Sequence, residues 1–94
     1  MSLPTSVSDE FDKLRSILDS MKSAVNLCSP SMVFYVSRFE RNYNRVSKFI
    51  DSLRDKGAID ERSYDSAKRK LSWMYDEFFA MIQKFADKCA CERK

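Results

Sequence analysis

Val7, Phe11, Leu14, Leu18, Met21, Val25 and Cys28 follow one another at alternating steps of four and three. That spacing holds every member on one side of an α-helix, in a row that packs lengthwise against a neighbouring helix. The pattern recurs in Met32, Val36, Phe39, Tyr43, Val46, Ile50 and Leu53, and again in Tyr64, Ala67, Leu71, Met74, Phe78, Met81 and Phe85. Within 94 residues only one glycine and two prolines are available to interrupt these rows. Few breakers mean few turns, and therefore few, long elements. The chain is predicted to be all-α, three long helices in an antiparallel up-down-up bundle. It forms a single domain over residues 1–94, with 1–5 and 90–94 as frayed tails.

The connections fit this reading. Ser6 or Ser8 is expected to cap the first helix. Ser29-Pro30 places a capping serine before a proline suited to the first helical position, and Lys56-Gly57 puts the one glycine where a helix ends on a left-handed residue. Asp60 is the expected cap of the third helix, with Ile59 and Tyr64 as a hydrophobic staple. Short connections make consecutive helices antiparallel neighbours. At about 1.5 Å per residue the second and third helices should reach roughly 40 Å and the first nearer 30 Å.

The stretch FIDSLRDKGAIDERSYDSAKRKL, residues 49–71, resembles the short C-terminal SHOCT domain. The resemblance rests on Leu53, Lys56, Gly57, Ile59, Tyr64, Lys68, Lys70 and Leu71, while Arg62 and Ser63 stand where that family carries an acidic run. It implies a helical hairpin with its turn at Gly57.

The third segment is apolar over more than one row. Tyr75, Phe79, Ile82, Ala86 and Cys89 run beside its seam, Ile17 and Ala24 flank the seam of the first segment, and Phe34 and Trp73 fall off the seams altogether. This is more apolar surface than three slender helices need, so a homodimer through helices one and three is expected, with Phe34, Trp73, Tyr75, Phe79 and Ile82 as candidate partner or dimer surface.

The residues that most enzymes use are scarce. Histidine is absent, which removes the usual neutral-pH base and the Ser–His and Cys–His dyads. A phosphate-binding glycine loop needs more than one glycine. No enzymatic activity, resident metal or cofactor is expected. A hydrophobic share of 44% beside 33% charged residues argues for a folded globular chain. No apolar run approaches the roughly 18 residues of a membrane span. The opening residues do not read as a signal peptide. A cytoplasmic protein is expected, or one of the host cytoplasm if virus- or plasmid-encoded, with no membrane partner.

Three cysteines, Cys28, Cys89 and Cys91, leave three readings open. In an up-down-up bundle Cys28 and the Cys89–Cys91 pair lie at the same end, so a disulfide is geometrically allowed, although cytosolic chemistry opposes it. Three thiolates are also a weak metal signal. The favoured expectation is that Cys28 and Cys89 are small buried apolar groups and that Cys91 lies on the tail.

The net charge of +3 concentrates on the second segment. Arg38, Arg41, Arg45 and Lys48 recur at steps of three, four and three, opposite Val36 and Phe39. Such a stripe suits contact with phosphates, with Asn42 and Asn44 adding hydrogen bonds and Lys68, Arg69 and Lys70 extending the patch. A solvated side of an amphipathic helix is the more ordinary reading of such a stripe. The expected function is therefore a small non-catalytic helical adaptor or regulator, acting by protein–protein interaction as a homodimer. The alternative is a sequence-nonspecific nucleic-acid-binding protein that uses the helix-two stripe.

Overall fold

The computed structural model describes the backbone of residues 5–92 and the side chains of residues 7–90. Three helices pack against one another: α1 (Thr5–Leu27), α2 (Met32–Asp55) and α3 (Glu61–Glu92). The Cα trace measures 54 × 17 × 17 Å. At about 1.5 Å per residue the helices are roughly 35, 36 and 48 Å long, so α2 is shorter and α3 longer than the apolar rows suggested. Of the expected tails, Thr5 and residues 90–92 belong to helices; residues 1–4 and 93–94 lie outside the described residues.

The apolar rows form the core. Every described member of the first row except Cys28 is buried, as are Met32, Phe39, Val46 and Ile50 of the second and Ala67, Leu71, Met74, Phe78 and Met81 of the third. Tyr43, Leu53, Tyr64 and Phe85 are half-buried against them. At mid-length the rings of Phe39 and Phe78 stack with centroids 4.3 Å apart, joining α2 to α3. Such an offset pair adds about 1 kcal/mol to the area the two rings bury. Ile17 and Ala24, expected as surplus surface on the first helix, are buried within the chain. A second neighbour on each helix widens the core-facing arc beyond the two-helix seam.

The turns use one backbone solution twice. At the end of α2, Gly57 adopts φ 71°, Ala58 N donates to the Leu53 carbonyl (2.8 Å) and Gly57 N to that of Arg54 (2.9 Å). This is a Schellman cap, and it places the turn at Gly57, where a turn was expected. At the end of α1 the same bonds recur: Ser29 N donates to Ala24 O (2.9 Å) and Cys28 N to Val25 O (3.3 Å). The left-handed residue there is Cys28, with φ 48°.

The helix starts partly differ from expectation. Ser6 and Ser8 lie inside α1 and do not precede it. Ser29 Oγ accepts from Ser31 N (3.2 Å) within the turn, and α2 begins at Met32, with Ser31 at the cap position making no side-chain cap bond. Asp60 caps α3 as expected, its Oδ1 accepting from Ser63 N at 2.7 Å.

Candidate interaction surfaces

Three side-chain strips run along the bundle, one above each seam between helices, and the residues singled out from sequence divide among them.

The basic row of α2 faces solvent. Arg38, Arg41, Arg45 and Lys48 are all exposed, and Phe34, four residues before Arg38, continues the row at 76% exposure. Arg45 is not free: its Nη2 donates to Glu10 Oε2 on α1 and to Asn42 Oδ1, both at 2.7 Å. Asn42 Nδ2 in turn donates to the Arg38 carbonyl at 2.8 Å. Glu10 also binds Lys13 Nζ at 3.1 Å. That bond first, and Arg45 with it, holds the Glu10 carboxyl below its ordinary range. The Glu10–Arg45 pair joins residues 35 apart in sequence, which helical spacing within one segment cannot reveal. Beside it Lys13, Ser16, Ile17, Arg38 and Asn42 line a hollow of about 300 Å³.

The α2–α3 seam is apolar at one end and polar at the other. Met32, Val33, Val36, Ile82 and Phe85 line a groove of about 230 Å³ with no charged side chain. Farther along, Tyr43 and Tyr75 bring their ring centroids to 5.1 Å, and with Glu40 and Asn44 they border a second hollow. Phe79, one turn from Tyr75 and three residues before Ile82, is 53% exposed, and Val33 is 72% exposed. At the polar end Lys68 Nζ reaches Ser47 Oγ (2.8 Å) and Asp51 Oδ1 (3.0 Å), and the Tyr64 hydroxyl donates to the same Asp51 oxygen (2.8 Å). Lys68 first, and then Tyr64, lower the Asp51 carboxyl, and Asp51 raises the Tyr64 phenol. Lys68 therefore serves this seam and does not extend the basic row.

The α1–α3 seam carries Trp73. Arg15, Ser66, Arg69, Lys70, Trp73 and Met74 line a hollow of about 410 Å³. Trp73 is 66% exposed, Met74 is buried beneath, and Lys70 Nζ lies 4.9 Å from the centroid of the Phe11 ring. Arg15 Nη1 is bound to Glu77 Oε2 at 2.7 Å.

The candidate partner surface thus separates. Tyr75, Phe79 and Ile82 share the α2–α3 strip, Trp73 lies on the α1–α3 seam, and Phe34 stands among the arginines. Val33 and Leu27, both more than 70% exposed, were not singled out from sequence. The signal for Val33 was available, since it lies off the seam of its own helix.

Near one end of the bundle Cys28 and Cys89 form a disulfide with Cα atoms 5.5 Å apart. This corrects the expectation of two unbonded buried cysteines, and it takes two of the three thiolates away from any metal. Cys89 is buried and Cys28 half-buried; the side chain of Cys91 lies outside the described residues. Among the described residues no helix is long and apolar enough to cross a membrane.

No protein-family model matches the chain, and neither the curated proteins nor the solved structures contain a match to it.

Proposed function

We propose that this protein is a non-catalytic adaptor or regulator: an antiparallel up-down-up bundle that pairs with a second copy through its α2–α3 strip and acts by binding protein. The order of contacts supports the antiparallel reading. Asp51 with Tyr64, Ser47 with Lys68 and Phe39 with Phe78 fall along α2 as they rise along α3. Arg15 with Glu77 and Asn26 with Lys88 rise together along α1 and α3.

The observation that carries the binding function is the strip itself, where exposed Val33 and Phe79 continue an uncharged groove over half-buried Val36, Ile82 and Phe85. Apolar surface gains about 25 cal/mol per Å² on leaving water. Two bundles 54 Å long laid side by side have the length to bury the roughly 800 Å² per partner of a stable interface. Relative to the dimer expected from sequence, the contact moves off α1, because Ile17 and Ala24 are used inside the chain. Sedimentation velocity tests this reading. The wild type should sediment as a dimer and the Val33→Asp/Phe79→Asp variant as a helical monomer; a wild-type monomer at high micromolar concentration would overturn the pairing.

A second reading, phosphate contact by the α2 row, is favoured by one observation: among the described residues no ion pair engages Arg38, Arg41 or Lys48. It requires duplex binding that weakens steeply with salt and is lost in Arg41→Glu/Lys48→Glu.

The Cys28–Cys89 bond bears on location. Glutathione and thioredoxin keep cytosolic thiols reduced in mesophiles, whereas hyperthermophile cytoplasm tolerates disulfides. We accordingly place the protein in a hyperthermophile cytoplasm or in an oxidising compartment.

A further inference from the structure

The hollow around Trp73 differs from the other two seams. The α2–α3 strip offers apolar side chains, and the α1–α2 hollow offers Lys13, already bonded to Glu10, beside Ser16, Arg38 and Asn42 and no aromatic ring. The α1–α3 hollow combines one exposed indole with three cations, Arg15, Arg69 and Lys70, and the Ser66 hydroxyl. Arg69 and Lys70 stand four and three residues before Trp73, the spacing at which helical side chains share a face about 5–6 Å apart. The carboxylate of Glu77 does not neutralise them, because it is tied to Arg15 at 2.7 Å. Among the described residues no ion pair engages Arg69 or Lys70.

A flat, polarisable surface beside unneutralised cations is the arrangement by which proteins hold single strands: a base stacks on the aromatic face and the adjoining phosphate meets the charges. Met74, buried at 3% exposure, forms part of the floor beside the exposed indole. A duplex keeps its bases stacked on one another and has none to offer the indole.

We propose that the Trp73 hollow binds one nucleotide unit of a single-stranded nucleic acid, its base stacked on the indole and its phosphate held by Arg69 and Lys70. One aromatic per site makes binding sequence-tolerant and strongly salt-dependent. The site is separate from the α2 row and does not depend on it.

The chain has a single tryptophan, so its emission reports on this site directly. Wild-type protein at low salt is titrated with an oligothymidylate, an oligouridylate, the free mononucleotide, a duplex of equal length and an oligoglutamate peptide. Quenching by either oligonucleotide, with less from the duplex, is the expected result. The oligomer that binds better identifies the strand type, and equal quenching by the free mononucleotide would assign the site to nucleotides and overturn the strand. Anisotropy of a labelled oligomer then compares variants. Trp73→Ala should weaken binding about tenfold, Trp73→Phe should restore most of it, and Arg69→Glu should weaken it and flatten its salt dependence, while Arg41→Glu/Lys48→Glu tests whether the α2 row carries the binding instead. No quenching by any oligomer at low salt overturns the proposal. So does equal quenching by oligoglutamate, which would mark an acidic-peptide site. So does loss of binding in the α2 variant with Trp73→Ala unaffected.

Discussion

Cys28 occupies the left-handed residue that ends α1, and its sulfur is bonded to Cys89 near the end of α3. The corresponding residue at the end of α2 is Gly57, the residue type for which that conformation carries no side-chain penalty. A cysteine at φ 48° costs about 1 kcal/mol against glycine. The covalent link more than offsets this.

Breaking the bond should therefore be the largest single loss available without touching the core. The cysteines are 61 residues apart, and closing a loop of that size stabilises by about 4 kcal/mol in the chain-entropy model. For a domain of this length the melting temperature should fall by roughly 15–30 °C on adding a phosphine reductant or in Cys89→Ala. Circular dichroism melts with and without reductant check this, and an unchanged Tm would show that the bond does not form in solution.

Under reducing conditions the sign of one substitution reverses. Cys28→Gly removes the bond and should be destabilising in oxidised protein. With reductant present it should be more stable than the reduced wild type by about 1 kcal/mol, because the left-handed turn no longer carries a Cβ. Paired urea titrations read the difference.

The Phe39–Phe78 stack at mid-bundle should be intolerant of truncation. Phe39 is fully buried, so Phe39→Ala should cost about 3–5 kcal/mol through lost burial and the cavity left behind. Phe39→Leu should cost less. Chemical denaturation with an unchanged m-value would confirm a packing loss in a still-cooperative fold.

Acid should weaken the fold. Glu10, Asp51 and Asp60 each titrate below their ordinary range, held there respectively by Lys13 and then Arg45, by Lys68 and then Tyr64, and by the Ser63 backbone N–H. A carboxyl lowered by folding contributes stability above its unfolded pKa and loses it as pH falls through the folded value. Stability should be flat near neutrality and decline below about pH 4. Asp60→Asn, which keeps a capping oxygen but does not titrate, should shallow that decline; an identical pH profile would remove the cap from the account.

What could be read from the residues alone was whatever repeats locally. The 4-3 rows placed the core faces of all three helices, and Gly57 and Asp60 marked the α2–α3 turn, since each acts through neighbours within six residues. The start of α2 was less legible, because Ser29 caps a turn that precedes the helix. Relationships across helices were harder to see. Glu10 finds Arg45 only once α1 lies against α2, and Ile17 and Ala24 looked surplus until a third helix widened the core. The apolar surplus on α3 was visible as composition, but its division among separate faces depends on where each neighbour sits. For the cysteines, proximity was visible, but bond formation depends on the redox surroundings, which spacing does not encode.

The disulfide also changes how the chain answers to force. Tension applied between residues 5 and 92 runs along α1 to Cys28, crosses the sulfur bridge to Cys89 and leaves through the last residues of α3. All of α2 and most of α3 lie off that path. Pulling would strip α1 from the bundle while α2 and α3, with their exposed strip, stayed inside a covalent circuit that stretching cannot open. A protease cut at the Gly57 turn would likewise leave both fragments on one molecule. Oxidised, the protein is mechanically a tethered loop; reduced, it is a thread with two ends.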